Sequence, residues 1–312
     1  MKNNWMIIVN PNAGSRKAGK DWEKIKFIID KTGITYEMML TKAVNHAIEI
    51  TKIAIDKGFR NFIAIGGDGT LNEIVNGIFS QSKVDPSTFK IGIIPIGTGN
   101  DWCRMFNIPF DYKKAIEIII EGTTFIQDIG KVIYHKNNEI KERFFINVTG
   151  IGYDAMVAEK TNAQKAKGKG GKFSYFFNIF TSLFYYKDKK ISITTESKNI
   201  KTVLFSMNVG ICKYNGGGMM QLPNAIADDG LLDITIIQKI SKIDLISNIK
   251  KLYDGNITKH PKVISFQASN INIYSNHKIY IEADGESLGH SPFTFSILPK
   301  SLQVIVGKHL KK

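Results

Sequence analysis

The sequence predicts an α/β domain followed by a mostly β domain, and three observations carry that prediction. From residue 5 to about 127, short apolar runs alternate with helical patterns, as in a parallel sheet covered by helices. Beyond Gln127-Asp128 the rhythm changes to closely spaced strand candidates with turn residues between them, as in an antiparallel sandwich or barrel. At 312 residues and 43% hydrophobic composition, the chain has enough apolar surface for two ordinary cores. Domains are therefore expected at 1–127 and 128–312.

In the first domain the pattern predicts strands at 5–10, 34–40, 61–66 and 91–95, with helices at 18–32, 43–57, 70–80 and 112–121. In the second it predicts strands at 128–134, 143–150, 190–196, 201–211, 231–237, 263–267, 270–275, 278–284, 293–297 and 301–306. Ligands of open α/β sheets collect at the carboxyl ends of the strands. The turns 10–14, 66–70 and 95–101, each following a strand, are expected to converge on one crevice.

Composition narrows the class. Cys103 and Cys212 are far apart and in no metal or redox spacing, which suits reduced thiols in a cytoplasmic protein. The strand-like Trp5-Met6-Ile7-Ile8-Val9 leaves no room for a signal peptide, and the longest apolar runs are too short or too charged to span a bilayer. A formal net charge of +14 implies attraction to nucleotides, nucleic acid or an anionic membrane, and charge alone does not choose among them. A lysine-rich codon bias produces the same excess.

Gly66-Gly67-Asp68-Gly69-Thr70 joins a buried-strand pattern to a helix opening at Leu71-Asn72-Glu73. Its glycines allow close backbone approach to a ligand, and the helix start offers unpaired N–H groups to an anion. Asp68 would repel a phosphate unless a divalent cation or a donor lies between, so nucleotide with Mg²⁺ is the natural ligand. Pro95-Ile96-Gly97-Thr98-Gly99-Asn100-Asp101 adds a hydroxyl between two glycines, followed by two polar side chains. Asn10-Pro11-Asn12-Ala13-Gly14 suits a backbone-lined phosphate pocket and is not a Walker A loop, having no closing Lys-Ser/Thr pair.

Together these three turns resemble the diacylglycerol kinase catalytic family, in its bacterial lipid-kinase branch, which is also similar to sphingosine and ceramide kinases. Further segments match in order: Asn147-Val148-Thr149-Gly150-Ile151-Gly152-Tyr153-Asp154, then Lys213 through Asp233, then Ala283-Asp284-Gly285-Glu286. The resemblance implies an N-terminal α/β domain similar to NAD kinase and phosphofructokinase and a C-terminal antiparallel β-sandwich. It puts the active site in the interdomain cleft and allows the last strand to return to the first domain. It implies ATP as donor, with Asn10, Asn12, Gly14, Thr41, Gly67, Asp68, Gly69, Thr70, Glu73 and Thr98 lining the nucleotide.

For the base that takes the hydroxyl proton, Glu286 is favoured and Asp284 comes next, because close carboxylates raise one another's proton affinity. Asp68 is expected to act through metal or bound water. Asp228 and Asp233, with the Leu231 carbonyl, offer oxygen ligands for a cation; a solvated acidic turn fits the same residues. In relatives Mg²⁺ at this segment is structural. The Lys165 to Lys172 run, read as a mobile loop, and the aromatics from Phe173 to Tyr186 fit a membrane-facing segment and a core helix equally well.

The expected function is an ATP- and Mg²⁺-dependent kinase acting on the hydroxyl of diacylglycerol or a related lipid alcohol, at the inner face of the membrane. A homodimer is common among such proteins. An NAD kinase is the nearest rival, since it carries a similar Gly-Gly-Asp-Gly-Thr turn; the segment 97–101 and the Lys213 to Asp233 block speak against it. A non-catalytic membrane-binding module would not need acidic residues on its ligand turns. Stacking platforms for nucleic acid are not evident.

Overall fold

The computed structural model describes residues 4–97, 99–166 and 172–308, which divide into two compact units. The first comprises residues 1–127 and 300–312, and the second comprises Asp128–Pro299.

The first unit runs β1 (Asn4–Val9), α1 (Ala13–Asp30), β2 (Thr35–Leu40), α2 (His46–Asp56), β3 (Asn61–Gly66), α3 (Asp68–Phe79), β4 (Lys90–Pro95), α4 (Asp101–Met105) and α5 (Tyr112–Glu121). β1, β3 and β4 are apolar and buried on both faces, as parallel strands between helical layers must be. β1 lies between β2 and β3, β3 pairs with β4, and all run parallel. The carboxyl ends of the strands therefore share one edge, where the glycine turns begin. Ile7, Val9, Ile63, Ile65 and Ile94 face a cluster built with Ala18, Ile25 and Ile29 of α1 and Ile116 and Ile119 of α5. Met6, Ile8, Phe62 and Ala64, alternating with them, belong to the opposite face of the sheet and are equally buried.

The second unit begins within β5 (Thr124–Lys136) and continues β6 (Glu139–Phe145), β7 (Val148–Gly152), α6 (Tyr153–Ala166), α7 (Lys172–Tyr185), β8 (Lys189–Thr195), β9 (Asn199–Gly210), β10 (Tyr214–Asn215), β11 (Met219–Met220) and β12 (Leu232–Gln238). It ends with α8 (Lys242–Ser247), α9 (Ile249–Tyr253), β13 (Val263–Ala268), β14 (Asn270–Tyr274), β15 (Tyr280–Ala283) and most of β16 (Glu286–Ile305). Pairing is antiparallel and closes on itself in the order β9, β7, β15, β16, β14, β8 and back to β9. β12 and β13 extend it beyond β9, β5 pairs with β16, and β6 pairs with β5.

Several boundaries differ from the pattern reading. The strand expected at 143–150 is two strands broken at Ile146 and Asn147, whose backbone N–H groups turn to a carboxylate. The strands expected at 293–297 and 301–306 are one strand, β16, and its far end pairs parallel with β4 at Gln303 to Lys90. Helices α6, α8 and α9 were not expected; α8 and α9 are too short for a periodic signal. Of the expected loop at 165–172, residues 167–171 lie outside the described residues. Among the described residues no helix is long and apolar enough to cross a membrane.

α2 and α3 approach closely because Gly77 has no side chain: a Cβ there would come within 2.8 Å of Thr51 Cγ2 and 3.0 Å of the Ile48 carbonyl oxygen. Gly77→Ala should therefore lower the unfolding free energy by about 1–2 kcal/mol, overpacking outweighing the gain in helix propensity. The urea midpoint measures it.

Candidate active site

In the first unit the three glycine turns are tied to one another. Asn10 Nδ2 donates to Thr70 Oγ1 at 3.2 Å, and Asn10 Oδ1 accepts from the Asn12 N–H at 3.0 Å. Gly14, Ser15 and Arg16 all have left-handed backbone, with φ of 60°, 59° and 69°, so α1 is regular only beyond them. A Cβ on Gly14 would lie 3.1 Å from Ile96 Cγ2, which places the first turn against the third. A Cβ on Gly67 would lie 3.4 Å from Gly97 Cα, which does the same for the second. Gly69 belongs to the first turn of α3, where N–H groups lack intrahelical partners.

The acidic residues of these turns hold backbone. Asp68 accepts from the N–H groups of Asp101 (3.1 Å) and Trp102 (3.3 Å), fixing the start of α4. Trp102 is anchored in turn by its Nε1, 3.0 Å from Gln127 Oε1. Glu73 receives the N–H groups of Asn45 and Ala47, each at 2.9 Å, one on each carboxylate oxygen. It thus secures the start of α2, a task its place in the expected nucleotide-lining set did not suggest. Thr41 is buried, its N–H on the Val9 carbonyl at 2.8 Å. Thr98 lies outside the described residues. Asp101, expected with Asn100 to be able to fix a ribose, a metal-bound water or a substrate hydroxyl, is buried with Arg104 Nε 3.5 Å from its Oδ1.

In the second unit the Asp-Gly-Glu turn links β15 to β16. Asp284 is buried with φ of 49°, and its carboxylate accepts from the N–H groups of Ile146 (2.9 Å), Asn147 (3.0 Å) and Val148 (3.2 Å). These three contacts make Asp284 an anchor for the backbone between β6 and β7. Glu282 Oε2 accepts from the Gly285 N–H at 2.7 Å, and Asn162 Nδ2 of α6 reaches the Gly285 carbonyl at 3.0 Å. Glu286 follows on the fixed turn and is half-buried.

Beneath the turn lie acids the sequence reading left without roles. Burial pushes the Glu282 carboxyl well up, and the neighbouring Asp154, Asp284 and Glu286 add to it. Asp154 keeps some exposed surface, yet loss of surrounding water pushes its carboxyl up to about 6, against the pull of the Asn208 hydrogen bond at 3.1 Å. Both carboxyl side chains crowd Gly150, where a Cβ would lie 2.6 Å from Glu282 Oε1 and 2.8 Å from Asp154 Cβ. The signal was available: Glu282 stands two residues before Asp284, at the end of the strand that leads into the turn.

At the expected cation turn, Gln267 Nε2 lies 3.1 Å from Asp233 Oδ2 and 3.3 Å from Asp229 Oδ2. Asp233 is buried, and desolvation pushes it up to about 6, with Asp229 contributing. Asp128, also buried, accepts from the Gly230 N–H at 2.7 Å, and Asp228 and Leu231 are half-buried on the same turn. Oxygen donors around a poorly compensated buried carboxylate suit a hard cation. Among the described residues no three His, Cys, Asp or Glu side chains are grouped as a ready-made metal cluster. An apolar cavity of about 50 Å³ lies elsewhere in this unit, lined by Tyr153, Leu183, Phe205, Met219, Leu245 and Leu252, with Asp154 and Ser206 as polar wall.

A parallel sheet carrying glycine turns suited to phosphate, continued by a closed antiparallel unit, places the chain in the class of two-domain kinases of small molecules and lipids. Residues 4–132 match the diacylglycerol kinase catalytic domain, and residues 147–306 match the YegS C-terminal NAD kinase beta sandwich-like domain. The chain is 30% identical to a diacylglycerol kinase of Staphylococcus carnosus, covering 100% of this chain and 97% of that one. It is 32% identical to the diacylglycerol kinase of a Staphylococcus epidermidis strain, covering 99% and 93%. The chain therefore belongs to the diacylglycerol kinase family, and it is a lipid kinase. A diacylglycerol kinase structure from Bacillus anthracis superposes with TM-score 0.71 at 22% identity, covering 98% of this chain and 97% of that one. Yeast NADH kinase complexed with NADH superposes with TM-score 0.55 at 11% identity, covering 99% and 84%. These two share the fold.

The elevated Asp154 carboxyl fixes the sign of a pH effect. Between 3.8, its ordinary value, and about 6 the folded protein holds a proton that the unfolded chain has lost. This contribution to stability is therefore present at low pH, is lost as pH rises through about 6, and stays lost above. Asp154→Asn should flatten the stability profile relative to wild type, gaining roughly 2 kcal/mol at pH 8 over pH 4. Denaturation midpoints at the two pH values measure it.

Proposed function

We propose that the protein transfers the γ-phosphoryl group of ATP, supplied with Mg²⁺, to the hydroxyl of diacylglycerol or a related lipid alcohol at the cytoplasmic face of an anionic membrane. The observation that carries the reading is the mutual tying of the three glycine turns at one sheet edge, which pre-orders backbone N–H groups for phosphate oxygens. Membership of the diacylglycerol kinase family supports a lipid acceptor over a soluble nucleotide such as NAD⁺.

In this mechanism Asn10, Asn12, Gly14, Thr41, Gly67, Gly69, Thr70 and Thr98 bind the nucleotide. Asp68 and Glu73 keep the binding turns in register through their N–H contacts. When bound, Mg²⁺ would neutralise phosphate charge, and Asp68 would act through it or through a bound water. Glu286 accepts the proton of the acceptor hydroxyl, and Asp284 and Glu282 hold the turn that carries it. Asp228, Asp233 and the Leu231 carbonyl would hold a structural cation, joined by Asp229.

The test is transfer of labelled γ-phosphate from ATP with Mg²⁺ into a panel of lipid extracts, with NAD⁺ as soluble control. The expected product is chloroform-soluble, and label found only in NADP⁺ would overturn the assignment. Glu286→Gln should lower kcat at least about 100-fold while leaving the KM for ATP within about twofold. Asp68→Ala should lower kcat and raise that KM together, because it loosens the nucleotide turns themselves.

A further inference from the structure

We propose that the ridge formed by α7 and α8 is the surface by which the second unit docks on an anionic phospholipid bilayer. It rests on the lipid-kinase reading and adds to it the face that meets the membrane.

α7 exposes aromatic side chains in addition to the apolar ones it buries. Its Phe177, Phe180 and Phe184, at spacings of three and four, share the outward face, with Phe177 at 66% and Phe184 at 68% exposure. Its polar Asn178 and Ser182 are buried, and Asn178 Nδ2 bonds to Thr161 Oγ1 at 3.1 Å and Gln164 Oε1 at 2.9 Å. Asn178 thus holds α6, Leu183 and Ile179 pack into the apolar cluster of the second unit, and Phe177 and Phe184 are left facing outward.

α8 repeats the arrangement. Ile243 is 82% exposed, the highest value among the exposed large apolar residues described, and Ile246, one turn on, is exposed as well. The two helices adjoin: Lys242 Nζ lies 3.4 Å from the Phe184 carbonyl oxygen and 5.0 Å from the centre of its ring. An ammonium above an aromatic ring is the arrangement in which the ring enters the acyl boundary and the charge stays at headgroup level.

Charge chooses the occupant. Lys187, Lys242, Lys250 and Lys251 are exposed around the ridge. The same segment carries Asp188, half-buried beside Lys187, Asp244, bonded to Asn248 Nδ2 at 2.9 Å and 3.4 Å from His260 Nε2, and Asp254, bonded to the Asn256 N–H at 3.0 Å; the four lysines outnumber these acids. Apolar side chains encircled by lysines match an anionic bilayer, where headgroup attraction and shallow insertion add.

Co-sedimentation of the full chain with vesicles tests it, using phosphatidylcholine alone and phosphatidylcholine with phosphatidylglycerol at about three to one. The wild type is expected to bind the anionic vesicles at least about tenfold more tightly. Ile243→Glu and Lys242→Glu should each weaken that binding about tenfold, and Ile140→Glu, an exposed site on β6, should not. Phosphoryl transfer to a short-chain diacylglycerol dispersed in detergent should be unchanged in Ile243→Glu. Unaltered vesicle binding in both ridge variants overturns the proposal. Loss of self-association in Ile243→Glu with vesicle binding intact also overturns it, making the ridge a protein interface. Vesicle binding that depends on Ile243, in a protein that phosphorylates no lipid, supports the docking surface and fails the kinase reading.

Discussion

A loop that is to grip phosphate with its own N–H groups must be held still by something other than the phosphate. In this chain carboxylates from neighbouring segments do the holding. Asp68 takes the first N–H groups of α4, Glu73 those of α2, and Asp284 those at the break between β6 and β7. Charge-assisted hydrogen bonds of this kind are about twice as strong as neutral ones. Backbone held in this way is ordered in advance, so a ligand bound against it, as proposed for the nucleotide, would spend less of its binding free energy on ordering it.

This arrangement changes how acidic residues near a reaction should be read. An Asp or Glu on a ligand turn invites the assignment of base or metal ligand, and Asp284 has the right neighbours for both. Its three backbone donors instead make it the residue that fixes the break between β6 and β7. The crowding of Glu282 and Asp154 against Gly150 concentrates negative charge beneath the turn, and such clusters raise the proton affinity of their members.

The fold class was legible because buried parallel strands are continuous apolar runs and β1, β3 and β4 are such runs. The order of the glycine turns was legible for the same reason, since each follows one of those strands. The pattern could not reveal contacts between residues distant in the chain. Asn10 with Thr70, Glu73 with Asn45, and Asp284 with Ile146 are separated by 60, 28 and 138 residues, and no local periodicity encodes them. α8 escaped notice because six residues span less than two turns, and its exposed isoleucines read as neither a core stripe nor a strand.

The return of β16 to the first sheet has a consequence for how the protein is made. Gln303 and Val304 pair with Lys90 and Ile91, so the strand that completes the first unit is separated from its neighbour by the whole of the second. On the ribosome, residues 4–127 emerge with one sheet position vacant and wait while more than half of the chain is synthesised. The flank of β4 stands open during that interval, a ready template for strand addition by another nascent chain. The sheet is completed only after the intervening unit has been made, and until then that flank has no partner strand.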